Sequence, residues 1–171
     1  MQQICCFFTI AKFGIAIHGG AGAIVKEDMT PELEQAYMKG LDDALKAGYA
    51  VLEKGGTAIN AVKVAIVVLE DNILFNAGRG SVFTKDGGHE MDAVIMYGNT
   101  LEAGAVAPVG NVRNPILLAH EVLQHSNHVF LSGKGATDFA LKQGIKLEPE
   151  DYFFRNSVMI NGNKFMIWMC T

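Results

Sequence analysis

No apolar run in these 171 residues is long enough to cross a bilayer. Basic residues form no cluster, and 14 Lys+Arg against 18 Asp+Glu leave a formal net charge of -4. Nucleic acid and anionic membrane surfaces are thereby disfavoured as partners, because both are held through dense positive patches. Cysteine is scarce: Cys5 and Cys6 are adjacent, and Cys170 lies at the far end. Neighbouring cysteines rarely bridge, so the set reads as free thiols of a reducing compartment, not as a disulfide framework or a metal cluster. The opening stretch MQQICCFFTIAKF has a short apolar core but no basic residue ahead of it and no small-x-small cleavage pattern. It makes a poor secretory leader, so a cytoplasmic location is expected; export would need a fuller leader ahead of this start.

What is present fits one ordinary domain or part of a larger one. Hydrophobic residues make up 50% of the chain, enough for a sizeable core. The 19 glycines are scattered between apolar segments, which signals tight turns and not disorder. Phe13 to Ile17 reads as a buried strand. Thr30-Pro31 then opens a helix, with threonine as N-cap and proline at the first helical position. Leu33, Tyr37, Leu41, Ala44, Leu45, Gly48, Val51 and Leu52 recur on one face of it. Gly55-Gly56 ends this helix, and Thr57 caps a second, TAINAVKVAIVVLEDN, apolar on nearly every side and so predicted to be deeply buried.

The segment LFNAGRGSVF reads as a loop leading into a strand, KDGG as a turn, and HEMDAVIM and LEAGAVAPV as strands. Asn114-Pro115 starts a helix over PILLAHEVLQH. HVFLSG is a further strand and GATDFALKQG a short helix closed by Gly144. The predicted order is strand, two helices, two strands, helix, strand, helix. That order suits an α+β fold, a mixed or antiparallel sheet with helices packed on it. No repeat, low-complexity tract or linker interrupts the chain.

Three constellations could carry chemistry. In IAIHGGAGAI (Ile15 to Ile24) an apolar run stops at His18 and enters a glycine-rich loop. A dinucleotide fingerprint needs Gly-x-Gly-x-x-Gly running straight into a helix. Here no third glycine follows Gly20-Ala21-Gly22, and the helix begins only at Pro31, so phosphate binding fails. SGKGAT fails as a phosphate loop too, because Lys134 is followed by Gly135 and His128 stands where the first glycine belongs. His120 and His125 are five apart, about 140° around a helix axis, and cannot share a metal; His125 and His128 read as surface residues. His18 beside its glycines fits a structural histidine or an active-site one. Glu90 and Asp92 alternate on one strand face and fit either an acid/base pair or a solvated edge.

Taken together, IAIHGGAG, GGTAINAV, VLEDNILFNAGRGSVF, HEMDAVIMYGNTLEAGAV and NPILLAHEVL with HVFLSGKGA resemble the plant-type L-asparaginase/isoaspartyl peptidase family. These are threonine N-terminal nucleophile hydrolases, cousins of the glycosylasparaginases. The resemblance covers 14–154, leaving 1–13 as a non-matching extension and 155–171 as a divergent tail. It implies a precursor that cuts itself into α and β subunits, a four-layer αββα sandwich, and αβ units paired into a homodimer. The N-terminal threonine of β would attack the side-chain amide of asparagine or the isoaspartyl bond of a β-aspartyl dipeptide. Its own α-amine would be the base, an acyl-enzyme would form, and water would release aspartate. Oxyanion donors would lie mostly in β.

The resemblance is to the α part alone, so no catalytic residue is expected within this chain. The family's Gly-Thr-Val-Gly-Ala-Val processing site does not occur in it. Thr57 is read as a helix cap, and Thr171 follows Cys170 at the last position. The apolar tail RNSVMINGNKFMIWMCT is read as a frameshift, an intron read-through or an early stop. The resemblance gives α a structural sodium ion, held by the backbone carbonyls of Leu69, Glu70, Asn72, Phe75, Ala77 and Arg79. Neutral carbonyls suit a hard monovalent cation, and the ion would hold Asn76 near the nucleophile. His18-Gly19-Gly20 would pass close to the same site, the glycines giving the backbone room there and not cradling phosphate. Tyr97 stands where members carry aspartate, and Pro108 where they carry glycine. Two alternatives stay open: a non-catalytic truncated subunit that only pairs with a β chain or a paralogue, and an unrelated α/β binding domain. A lone α-region is expected to expose an apolar sheet face and to be marginally stable.

Overall fold

The computed structural model describes residues 13–20 and 29–153 of the chain. Its elements in chain order are α1 (Pro31–Glu53), α2 (Ala58–Glu70), a 3-10 turn (Gly78–Gly80), β1 (Met91–Met96), β2 (Ala103–Val109), α3 (Pro115–His125), β3 (Phe130–Leu131), α4 (Gly133–Lys142) and the single-turn α5 (Glu150–Phe153). The helix starts follow the predicted caps. Thr30 Oγ1 accepts a hydrogen bond from Leu33 N at 3.2 Å with Pro31 at the first position, and Thr57 Oγ1 accepts one from Asn60 N at 3.4 Å. Each hydroxyl satisfies an amide that the helix itself leaves unpaired. Past Glu53, Gly55 N and Gly56 N donate back to Leu52 O and Val51 O, which closes α1.

Helix α1 lies on α2 through small residues four apart, the buried Gly40, Ala44 and Gly48. A Cβ at Gly48 would stand 2.9 Å from Ala61 O and 3.2 Å from Ala65 Cβ, so only glycine lets the two helices approach this closely. The sheet is mixed, in the order β1-β2-β3, with β1/β2 antiparallel and β2/β3 parallel. Helices α3 and α4 pack on one face of it. The main core there gathers Met91, Ile95, Val106, Val109, Ile116, Leu118, Val122, Ala136 and Ala140, with Ile59 of α2 joining from the side. Tyr97 packs half-buried against the same core.

The other face of the sheet is bare among the described residues. Val94 pairs with Ala105, and Ala105 with Phe130, so one row crosses all three strands. Val94 is 66% exposed and Phe130 53%, and Met96 beside them is 52% exposed.

Four expectations are corrected. Phe13 to Ile17 is not a strand; it lies against α1, Phe13 on Tyr49 and Ile15 beside Gly48, with Phe13 exposed and Ile15 and Ile17 half-buried. An extended segment becomes a strand only when a neighbour completes its hydrogen-bond ladder, and no described strand lies beside it. Residues 81–83, expected to enter a strand, are irregular for the same reason, and HVFLSG contributes only Phe130–Leu131. Helix α2 is not buried all round: Ile59, Ala61, Ala65 and Leu69 are buried, but Val62 is 44% exposed. Apolar sequence supplies the drive to be covered, whereas coverage depends on how many elements reach the helix.

Candidate functional site

The segment from Leu69 to Val82 leaves α2, sets Asn72 and Phe75 against Gly40 of α1 and folds its 3-10 turn back onto Glu70. Its shape comes from short-range polar bonds. Asn72 Oδ1 accepts Leu74 N at 3.0 Å, and Asn76 Oδ1 accepts Val82 N at 2.9 Å, so each asparagine side chain braces the loop it sits in. Backbone amides of Asn72, Phe75, Ala77 and Gly80 donate to Leu69 O, Asn72 O, Phe75 O and Ala77 O. Four of the six carbonyls predicted as ligands thus take part in turns; Leu69 O also accepts the Asp71 amide, while a carbonyl with a single donor keeps a second lone pair.

The turn is packed tightly enough to demand glycine. Gly78 has φ +51, and a Cβ on it would stand 2.7 Å from Glu70 Cβ and closer still to Glu70 O. A Cβ on Gly80 would stand 2.9 Å from Ile73 O and closer still to Phe75 O. The carbonyl oxygens of Glu70 and Phe75 therefore face the backbone of the turn.

The His18-Gly19-Gly20 segment meets this loop on α1. A Cβ at Gly19 would stand 2.9 Å from Leu41 Cδ2, while one at neighbouring Gly40 would stand 2.8 Å from Phe75 Cε2 and 2.7 Å from Asn72 Nδ2. Ile17, Tyr37, Leu41 and Phe75 share one small apolar cluster with Ala44 and Leu69. Two segments far apart in sequence are thus set on one stretch of α1. His18 is exposed, and its Nδ1 accepts Gly20 N at 3.1 Å. The remainder of the glycine run, 21–24, lies outside the described residues.

The other candidates are dispersed. Glu90 and Asp92 are both exposed. His125 lies on the surface, 2.8 Å from Glu121 Oε2, and His128 is exposed as well. Among the described residues, no three His, Cys, Asp or Glu side chains gather as a metal ion would need. None of the described helices is long and apolar enough to cross a membrane.

Sequence reasoning missed the polar network at the start of the loop. Arg113 donates to Asp71 through Nε and Nη2, both at 3.1 Å, and Asn114 Nδ2 donates to Asp71 Oδ1 at 3.2 Å. Such a two-pronged pair fixes orientation as well as distance. Glu70 Oε1 accepts Ile116 N at 3.0 Å, so the last residue of α2 caps the first turn of α3. Ser81 Oγ and His89 Nδ1 lie 3.0 Å apart at the far end, where burial pushes the imidazole down. The asparagine and proline before α3 signalled the helix start, but nothing local signalled its distant partners.

Glu70 is only 3% exposed, and its Oε2 has no hydrogen-bond partner. Burial raises its pKa from 4.5 to about 7, against the opposing pull of the Ile116 amide. Above 4.5 the unfolded chain has released this proton, while the folded protein keeps it until about 7. Stability is therefore expected to fall as pH rises through that window, by about 3 kcal/mol in all. Glu70→Gln keeps an oxygen for Ile116 N and removes the titration. Urea unfolding at pH 5 and pH 8 in sodium-free buffer is expected to show a smaller pH loss for the variant than for the native protein. Equal losses would refute the assignment.

Comparison with known proteins places this arrangement. The family model described as Asparaginase matches residues 11–164. The chain is 48% identical over 142 residues to the isoaspartyl peptidase of Salmonella typhimurium, covering 83% of this chain and 45% of that protein. It is 44% identical over 143 residues to the putative isoaspartyl peptidase/L-asparaginase of Dictyostelium discoideum, covering 84% of this chain and 41% of that protein. It is 52% identical over 130 residues to the plant-type L-asparaginase of Pyrococcus abyssi, covering 76% and 41% respectively. The chain spans less than half the length of these relatives. With its glycine turn, its asparagine-braced loop and this extent of identity, the chain belongs to the asparaginase family.

Proposed function

We propose that this chain is the α-region of an isoaspartyl peptidase/L-asparaginase, working with a β segment that brings an N-terminal threonine. The observation that carries the reading is the loop 69–82, wound on its Gly78–Gly80 turn and set on the same stretch of α1 as the His18–Gly20 segment, in a chain of the asparaginase family. The β threonine would attack the side-chain amide of asparagine or a β-aspartyl bond, its own amine taking the hydroxyl proton. The amine or ammonia leaves, and water then releases aspartate from the acyl-enzyme. In this chain Asn76, His18, Gly19 and Gly20 would support the site, and none of its residues would be the nucleophile.

The loop also fits a sodium ion. Its candidate donors, Leu69, Glu70, Asn72, Phe75, Ala77 and Arg79, offer neutral backbone oxygens, and those of Glu70 and Phe75 face a turn that no side chain fills. A bound ion would supply fixed positive charge that stiffens the loop, with no part in proton transfer. The bare row Val94–Ala105–Phe130 supports a further layer stacked on this face, as in a four-layer αββα sandwich whose αβ units pair.

Expressed alone, these 171 residues are expected to release ammonia from asparagine, and to cleave a β-aspartyl dipeptide, no faster than a blank. Co-expressed with a family β segment opening on Thr-Val-Gly, they are expected to form a complex that does both. Ammonia release by the chain alone would overturn the placement of the nucleophile in β. A complex that assembles but stays inactive would identify a non-catalytic subunit.

A further inference from the structure

The loop is fastened at its start and at its turn to one aromatic ring. At its start, Asp71 is gripped by Arg113, whose guanidinium carbon lies 5.7 Å from the centre of the Tyr152 ring. At its turn, the guanidinium carbon of Arg79 lies 5.3 Å from the same ring. The ring is anchored in turn, edge-on to Phe153 at 5.0 Å, and Phe153 is buried in the main core. Tyr152 Oη and Arg79 Nε are both buried without hydrogen-bond partners, so the ring face and not the hydroxyl makes the contact.

We infer that Tyr152 is a positioning residue, a clasp on which Arg113 and Arg79 bring the start and the turn of the loop together and so set the spacing of its cation-binding carbonyls. This rests on the sodium reading above. Neither arginine need touch the ion; the clasp acts through the backbone that carries the oxygens, as outer-shell partners do at other metal sites.

The test is thermal unfolding of the protein expressed from its complete reading frame, titrated with sodium chloride against choline chloride at constant ionic strength. The native protein and Tyr152→Phe are expected to gain stability along the same saturating sodium curve, since phenylalanine keeps the ring. Tyr152→Leu is expected to need on the order of ten-fold more sodium for half-saturation. Should Tyr152→Leu fail to unfold cooperatively in choline, Arg113→Lys, which loses the two-pronged grip but keeps the charge, is expected to show the same rightward shift. A merely structural ring would lower the midpoint equally in both salts and leave half-saturation unchanged, and that result overturns the clasp alone. A native protein with no sodium response overturns the sodium reading and the clasp together.

Discussion

Gly104→Ala is expected to lower the unfolding free energy by about 3 kcal/mol or more. Gly104 is where α3 sits down on β2. A Cβ there would stand 2.7 Å from Leu123 Cβ and closer still to Ala119 O and Leu123 N. Two of these three atoms are backbone, so no rotamer change relieves the overlap, and the helix must lift from the sheet. Lifting it opens the contacts of Leu118, Ala119 and Val122, all fully buried. The control is Gly135→Ala in α4, where a Cβ meets nothing within 4 Å. There alanine is expected to stabilise by about 0.5–1 kcal/mol, the helix-propensity difference alone. Urea midpoints of the two variants test the pair, and a Gly104→Ala midpoint within error of the native protein would mean that α3 does not rest on β2 as described.

The second large effect is expected at Gly80. Alanine there would push against Phe75 O and Ile73 O and open the turn that holds the loop closed. Asn76 then loses its fixed place, because its bond to Val82 N spans that turn. Stability is expected to fall by about 2 kcal/mol. In the assembly with a β segment, hydrolysis of asparagine is expected to fall by about a hundred-fold, the usual cost of a misplacement near 1 Å beside a reacting group. Steady-state ammonia release and a urea curve on the same sample separate the two losses. Activity near the native level, with the stability loss present, would show that the loop does not position anything the reaction uses.

Much of the fold was legible because its signals are local. Thr30-Pro31, Thr57 and Asn114-Pro115 each announce a helix within a few residues, and all three helices begin there. The strands β1 and β2 fell inside the predicted stretches, and the sheet proved mixed. Single-turn α5 was not foreseen, since four residues show no period. The strand readings failed where pairing was missing: Phe13 to Ile17 has strand composition but no described partner. The loop LEDNILFNAGRG, residues 69–80, was recognised as a unit, with its asparagines and glycines in place. What its first acidic residues do was not, because Asp71 meets Arg113 42 positions away and Glu70 meets Ile116 46 positions away.

The family, the helices and their caps, and the tight turn of the loop can be read from the residues alone, because caps, glycine turns and helical periods act between residues a few places apart. It took the packed fold to reveal that Glu70 is buried, with its pKa raised to about 7, that Arg113 and Arg79 meet on Tyr152, and that the row Val94–Ala105–Phe130 is left bare among the described residues. Burial and long-range pairing depend on which surfaces are brought together, and no local pattern in the chain specifies that.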